Sequence, residues 1–397
     1  MTTTVLTTHH VGGRAGTRTF PSLKYFEKDI ISVLYEADES AISGIKKNTH
    51  HLPSKTIILP DCLSGHAGKR DFYIYNNRYF SSLYPLKAEQ TRTYSFDRQF
   101  GWDTDPKALS LAETLTLDTV TLDEVIKREK SKNTPSPDFL SLDTQGSELE
   151  ILKGGKIAIQ NTVVAIATEV SFTQIYERQP LFGEITEYLN EIGFDLASLE
   201  IFNTESNSHR APVGLRGKGF IQSGEALFLR KLSFYDAIEE KITSQLKQAF
   251  IAFCFDFYDQ TFDILNNLSF EVIEEIVARD TNKVNYLLFL IELKKMSANY
   301  PKLFPVKYSD ILTYEQGRTR FTSKEVDIDF QNIATNHYDE FGEQYFHEAL
   351  KTLDTSEYFG VEEVAYTFDL IQQANDLRRR RLEQIEAIKK WLTLESN

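Results

Sequence analysis

Residues 138–172 read DFLSLDTQGSELEILKGGKIAIQNTVVAIATEVSF and hold two carboxylates in positions where chemistry is expected. A short apolar strand runs into an acidic turn at Asp143. A helix follows, opened by Gly146 and Ser147 and carrying Glu148. A second apolar strand, Val163 to Ala167, ends on another acid, Glu169. Two carboxylates therefore lie at the carboxyl ends of neighbouring parallel strands, the rim where open α/β sheets bind ligands. A buried strand is a costly place to end on an unpaired charge, so each acid needs a partner, a proton or a ligand. Acids also cap strand–helix junctions for purely structural reasons. Two such acids on adjacent strands tilt the reading toward function. Glu148, in the first turn of its helix, is favoured there by the helix dipole and reads as structural.

A second cluster lies near the start of the chain. Gly12, Gly13 and Gly16 follow one strand, and the next strand, IISVLY over Ile30–Tyr35, ends on Glu36. Glycine at such a turn lets the backbone approach a ligand, and an acid at the next strand end can accept from a ribose diol. The pair predicts an adenosyl or nucleotide ligand, with a spacing that suits both NAD and S-adenosylmethionine. No Walker loop is present, which argues against ATP hydrolysis.

The elements that position these groups alternate between strand and helix up to about residue 232. Strands are predicted at Thr4–Val11, Ile30–Tyr35, Thr56–Leu59, Asp71–Tyr75, Asp138–Leu142, Val163–Thr168, Phe194–Leu199 and Ala226–Leu229. Helices are predicted at Ser40–Asn48, Leu122–Glu129, Glu148–Gln160 and Leu181–Ile192, with residues 76–118 read as a long loop. This alternation predicts an α/β fold, a mostly parallel Rossmann-like sheet with an antiparallel closing strand. Beyond residue 233 the period becomes helical. Helices are expected over Tyr235–Leu265, Phe270–Asp280, Asn282–Met296, His337–Leu353 and Val361–Leu394. The expected division is an α/β domain at 1–232 and an all-helical domain at 233–397.

Bulk composition narrows the function classes. The 397 residues carry a net charge of −14, which disfavours non-specific binding to nucleic acid or anionic membrane. Cys62 and Cys254 lie far apart and form no zinc pattern, which fits a reducing cytoplasm. No signal-peptide layout and no apolar run of about 18 residues occurs, so no membrane span is expected.

The segment DFLSLDTQGSELEILKGG, followed by TEVSFTQIYERQPLFGEITEYLNEIGFDL, resembles the FkbM family of S-adenosylmethionine-dependent methyltransferases. Asp143, Gln145, Gly146, Glu148, Lys153, Gly154, Glu169, Tyr176, Pro180, Leu181, Phe182, Gly193 and Phe194 carry the match. Tyr35–Asp38, Leu63–Ser64, Gly68, Ser81–Leu83 and Glu225–Arg230 extend it over roughly 9–232. One position departs from the pattern: His10 stands where the family has an acid before the glycine turn. The resemblance implies S-adenosylmethionine as cofactor, with Gly12, Gly13, Gly16, Glu36, Asp61, Cys62, Ser82 and Asp143 as its contacts. It also implies methyl transfer to oxygen, with a sugar, glycan or natural-product hydroxyl as acceptor. Asp143 is then the first candidate base and Glu169 the second. Mg²⁺ held by Asp143 and Glu169 stays open but is not expected, since two carboxylates are few for an all-protein site.

His209 lies in a polar loop with Arg210, Arg216 and Lys218, and reads either as a cover over the site that binds an anionic or sugar acceptor or as solvated surface. The pairs His9–His10 and His50–His51 lack further metal-ligand spacing. Arg378–Arg381 faces all round its helix and reads as a solvated run. The helical domain is expected to serve homo-oligomerisation, acceptor choice or docking to a pathway enzyme. Retention of the fold as a non-catalytic interaction protein is the alternative from another class; a nicotinamide enzyme is a third.

Overall fold

Short apolar strands, buried on both faces, form the centre of the molecule. In a computed structural model of the chain, the described residues are 4–12, 20, 24–49, 55–87, 109–130, 134–205, 220–237 and 241–299. Strands β1 (Leu6–Val11), β2 (Ile30–Tyr35), β3 (Lys55–Leu59), β7 (Phe139–Leu142) and β8 (Ala165–Ser171) pair in parallel. Runs such as IISVLY are rich in β-branched residues and lack polar alternation, the pattern of a doubly covered strand. The antiparallel strand β10 (Phe220–Arg230) inserts between β8 and β9 (Phe194–Glu205), giving the order β3-β2-β1-β7-β8-β10-β9. This is the mostly parallel α/β sheet with an antiparallel strand that the sequence predicts.

The order reverses at β1. The chain builds β2 and β3 on one side and β7 and β8 on the other. Register then lines up the strand ends, because Tyr35 pairs with Val11, Val11 with Leu142, and Leu142 with Thr168. The next residue on each strand is Glu36, Gly12, Asp143 and Glu169. The acids and the glycine of the sequence reading thus form one row at the topological switch point.

Helices cover both faces: α1 (Glu39–Thr49), α2 (Leu122–Glu129), α3 (Glu148–Gly154), α4 (Lys156–Asn161) and α5 (Phe182–Glu191). Val125, Leu152, Ile159, Leu189, Phe194 and Phe228 are wholly buried with the strands in one core. The capping box of Thr121 and Glu124 starts α2. The single helix expected at Glu148–Gln160 is two, broken at Gly155. A Cβ there would lie 2.7 Å from Leu122 Cδ2, so glycine lets the two helices meet α2.

Two further expectations differ. The stretch read as a loop over 76–118 contains most of β6 (Leu111–Val120). This strand joins β4 (Cys62–Leu63) and β5 (Gly68–Tyr75) in a second, three-stranded sheet of order β4-β6-β5. Its threonines and acids mask the period because both faces are largely exposed. The helix expected over Tyr235–Leu265 is a 3-10 segment (Leu232–Ala237), α6 (Lys241–Cys254) and α7 (Tyr258–Asn267). Asp256 breaks it with φ 65°, a left-handed conformation that ends helices.

The chain divides into two compact units, Met1–Thr261 with Asp280–Val284, and Phe262–Arg279 with Asn285–Asn397. The first unit therefore extends past residue 232 and takes in α6. Inside it, Lys247 Nζ lies 2.9 and 2.8 Å from the two carboxylate oxygens of Asp138, with both side chains buried. Asp138 also accepts from Thr7 N at 2.7 Å. In the second unit α8 (Phe270–Arg279) meets α9 (Asn285–Asn299), and Lys294 sits 4.8 Å over the Phe270 ring. The helices expected beyond residue 299, Arg378–Arg381 among them, lie outside the described residues.

Lys247→Ala leaves Asp138 as an uncompensated buried carboxylate and is expected to cost about 3–5 kcal/mol. Urea unfolding followed by circular dichroism checks this; a loss below about 1 kcal/mol would mean that the pair is solvated.

Candidate active site

The row of strand ends opens into a cleft of about 690 Å³, counting the open solvent within it. Val11, Gly12, Tyr35, Glu36, Asp61, Cys62, Arg78, Tyr79, Ser81, Asp143, Thr144, Gln145 and Ser147 are among its lining residues.

Gly12 is required by a close approach. Its φ is +90°, and a Cβ would meet the Asp143 carbonyl oxygen at 1.8 Å. The strand ladder carries on through this point, with Gly12 N donating to Tyr35 O at 3.3 Å and Asp143 N to Val11 O at 3.0 Å. Gly13 and Gly16 lie outside the described residues. Glu36 is buried at 7% exposure, yet it lines the cleft and accepts from Asp38 N at 2.8 Å. Asp61 is clamped by Arg128 through two bonds of 3.0 and 2.6 Å. Burial pushes the Cys62 thiol up to about 12, so it lines the wall as a neutral group.

The turn after β7 is built around Gln145, which holds φ 57°, an uncommon conformation for a residue with a side chain. Its Nε2 donates to Asp143 Oδ1 at 2.8 Å and to Glu169 Oε2 at 2.9 Å. The Tyr176 hydroxyl lies 3.0 Å from both Gln145 Oε1 and the Phe80 carbonyl. Glu148 is structural, as expected. Its carboxylate accepts from Thr144 N at 2.8 Å and from Gly146 N at 3.0 and 3.1 Å, so it fastens the turn to α3.

The acids continue along the sheet. Register sets Glu225 of β10 opposite Glu169 and also opposite Glu200 of β9. Like charges in such cross-strand positions repel. Burial, then the charges of Asp143 and Glu148, a hydrogen bond to Asp143 and the charge of Glu225 hold the Glu169 carboxyl well above the ordinary range. Glu225 is pushed up to about 7 by burial, then by Asp143 and Glu200.

Placement separates the expected residues into groups. Gly12, Glu36, Asp61, Cys62 and Asp143 share the cleft, and Glu169 stands behind Asp143 across the Gln145 amide. Ser82 is buried behind the wall, where it donates to Gln145 O at 2.7 Å and accepts from Tyr84 N at 3.0 Å. His209 lies outside the described residues. His10 is buried, with Nδ1 2.8 Å from Ser141 Oγ on the neighbouring strand. Among the described residues, no group of three or more His, Cys, Asp or Glu is arranged to hold a metal ion, and no helix is long and apolar enough to cross a membrane. Sequence reasoning passed over Gln145, Tyr176 and Glu225 as site residues. Gln145 and Glu225 both fall in segments that carry the family resemblance, but their places at the site follow from the turn geometry and from the register with β8.

Strand order, the glycine turn and the acid at the next strand end define a Rossmann-type domain with a cleft at its switch point. Residues 10–196 match the family model described as a methyltransferase FkbM domain. The family implies S-adenosylmethionine as methyl donor, and the cleft suits it. Gly12 leaves room for close backbone approach, Glu36 offers a hydrogen-bond acceptor, and a buried cleft hydroxyl, Ser81 Oγ, has no partner among the described residues. No curated protein matches the sequence. Two solved structures are similar in part. A candidate RNA methyltransferase from Pyrococcus horikoshii shares 8% identity over 57% of this chain and 74% of its own, with a TM-score of 0.26. A TehB-like S-adenosylmethionine-dependent methyltransferase from Corynebacterium glutamicum shares 11% over 57% and 81%, with a TM-score of 0.25. The strand order, rather than these low-scoring superpositions, defines the fold.

The elevated Glu225 carboxyl has a stability consequence. Between its ordinary value of 4.5 and about 7, the folded state keeps a proton that the unfolded chain has released. Stability therefore falls as pH rises through that window. Glu225→Gln is expected to flatten this fall and to stabilise the protein at pH 8 by on the order of 1 kcal/mol after solvent screening. Thermal unfolding at a series of pH values checks it; a variant that tracks the wild type throughout would mean that Glu225 ionises freely.

Proposed function

We propose that the domain transfers a methyl group from S-adenosylmethionine to a hydroxyl oxygen of a sugar, glycan or natural-product acceptor. The carrying observation is Asp143, set on the cleft at the switch point and fixed by Gln145 at 2.8 Å. When bound, the cofactor supplies an electrophilic methyl on a sulfonium. The chain must then fix the acceptor oxygen in line and remove its proton. Asp143 faces the cleft and is the group placed to take that proton. Glu169 holds its own proton more tightly than an ordinary carboxyl and is the supporting member of the pair. Glu36 is the acceptor for a ribose diol, and Gly12 admits the ligand to the backbone. The hydroxyl-bearing acceptor class rests on the family resemblance.

In this reading the helical part of 233–397 serves homo-oligomerisation or docking to a pathway enzyme, and His209 helps cover the acceptor. Cys62 and Cys254 are both free, which supports a reducing, cytoplasmic setting. A second reading, a non-catalytic interaction protein, is favoured by His10, which is buried and bonded to Ser141 in place of an acid near the glycine turn.

Calorimetry with S-adenosylmethionine separates the two. Saturable binding is expected, and folded protein that binds none would overturn the enzyme reading. With a panel of monosaccharide glycosides as acceptors and saturating S-adenosylmethionine, Asp143→Ala is expected to lower labelled-methyl transfer about 10²–10⁴-fold. Undiminished transfer would move the base elsewhere.

A further inference from the structure

Residues 78–82 form a short bridge across the cleft. At one end Arg78 Nη1 pairs with Asp38 at 2.9 Å, two residues beyond Glu36. At the other end Ser82 donates to Gln145 O at 2.7 Å, beside Asp143. A 3-10 turn, Arg78–Phe80, joins the two ends; the Asn77 side chain caps it, and it closes with Ser81 N donating to Arg78 O at 3.2 Å. Ser81 is therefore held at the Asp143 end of the bridge.

Its hydroxyl differs from the other polar groups of the lining. Tyr35 OH lies 2.9 Å from His9 Nδ1, Thr144 Oγ1 donates to Glu148 at 3.0 Å, and Ser147 Oγ lies 3.5 Å from Thr144 O. The Gln145 amide is committed to the two acids. Ser81 Oγ is buried and has no hydrogen-bond partner among the described residues, although it lines the cleft. A buried hydroxyl without a partner is uncommon and calls for one from outside the chain.

The surroundings select the partner's chemistry. The wall already carries the carboxylates of Glu36, Asp61 and Asp143, while Arg78 is paired with Asp38. An anionic ligand group entering here needs a donor, and Ser81 Oγ has no partner among the described residues. A nucleoside held at Glu36 by its ribose would direct its 5′ substituent along the bridge toward Gln145, where Ser81 stands. In the cofactor reading above, on which this step rests, that substituent is an amino-acid chain ending in a carboxylate. We propose that Ser81 is a cofactor-binding residue whose hydroxyl donates to this amino-acid carboxylate, while its neighbour Ser82 only holds the bridge to Gln145.

Two probes that differ in this group test the assignment. S-adenosylhomocysteine carries the amino-acid chain; 5′-methylthioadenosine lacks it. By calorimetry, Ser81→Ala is expected to weaken S-adenosylhomocysteine about tenfold or more, as for a hydrogen bond to a charged group. Its affinity for 5′-methylthioadenosine is expected to stay within about twofold of wild type, which also reports that the cleft is intact. Unchanged S-adenosylhomocysteine affinity, or an equal loss for both probes, overturns the assignment to the carboxylate. A wild-type protein that binds neither probe overturns the cofactor reading itself, a result distinct from either of those.

Discussion

The site depends on one side-chain amide. Gln145 Nε2 reaches Asp143 and Glu169 at once, its Oε1 meets Tyr176, and its backbone carbonyl receives Ser82. Two carboxylates on adjacent strands would otherwise repel in a part-buried space, where a lone like-charge pair is costly. A neutral amide with two donor hydrogens bridges them, while burial and the neighbouring charges hold the Glu169 carboxyl well above its ordinary range. The left-handed backbone at Gln145 aims the amide inward, and such strain persists where the surroundings over-determine it. Here those surroundings are the Glu148 carboxylate, which fastens both flanking N–H groups, and the two tyrosine and serine contacts.

The same constraint explains why the sheet tolerates an acidic row. Glu169, Glu225 and Glu200 face one another on three strands, an arrangement that weakens a sheet wherever all are ionised. The cost is limited by protons retained on Glu169 and Glu225, whose carboxyls lie above the ordinary range. Stability elsewhere offsets the rest. The apolar core packs along β7 and β8, and the buried Lys247–Asp138 pair sits at the opposite end of β7.

Most of the scaffold was legible in the sequence because its strands are buried on both faces and read as continuous apolar runs. Asp143, Glu169, Gly12 and Glu36 stood out because strand ends punctuate such runs. The three-stranded sheet was not legible: β6 is exposed on both faces, so LAETLTLDTV offers little apolar period. The break at Gly155 was hidden for another reason, since a close approach of Leu122 from outside the helix requires it. Glu225 and Ser81 lie in segments that carry the family resemblance, but pairing and burial are what bring them to the candidate site. Ser82, a neighbour of identical type, faces away from the cleft, and only the fold distinguishes the two.

Strand order also constrains the time course of folding. β9 touches the large sheet only through β10, which follows it in the chain and lies between it and β8. While the protein is being made, β7 and β8 can dock on β1 as they emerge, but β9 has no seat until residues 220–230 have left the ribosome. During that interval Leu196 and Ile201 belong to an unpaired strand, and they remain exposed after folding, at 39% and 43%. Glu169 likewise meets Glu225 only when β10 docks. The acidic rim is therefore completed after the cleft's other walls, and the repulsion within it is incurred once the rest of the sheet is in place to resist it.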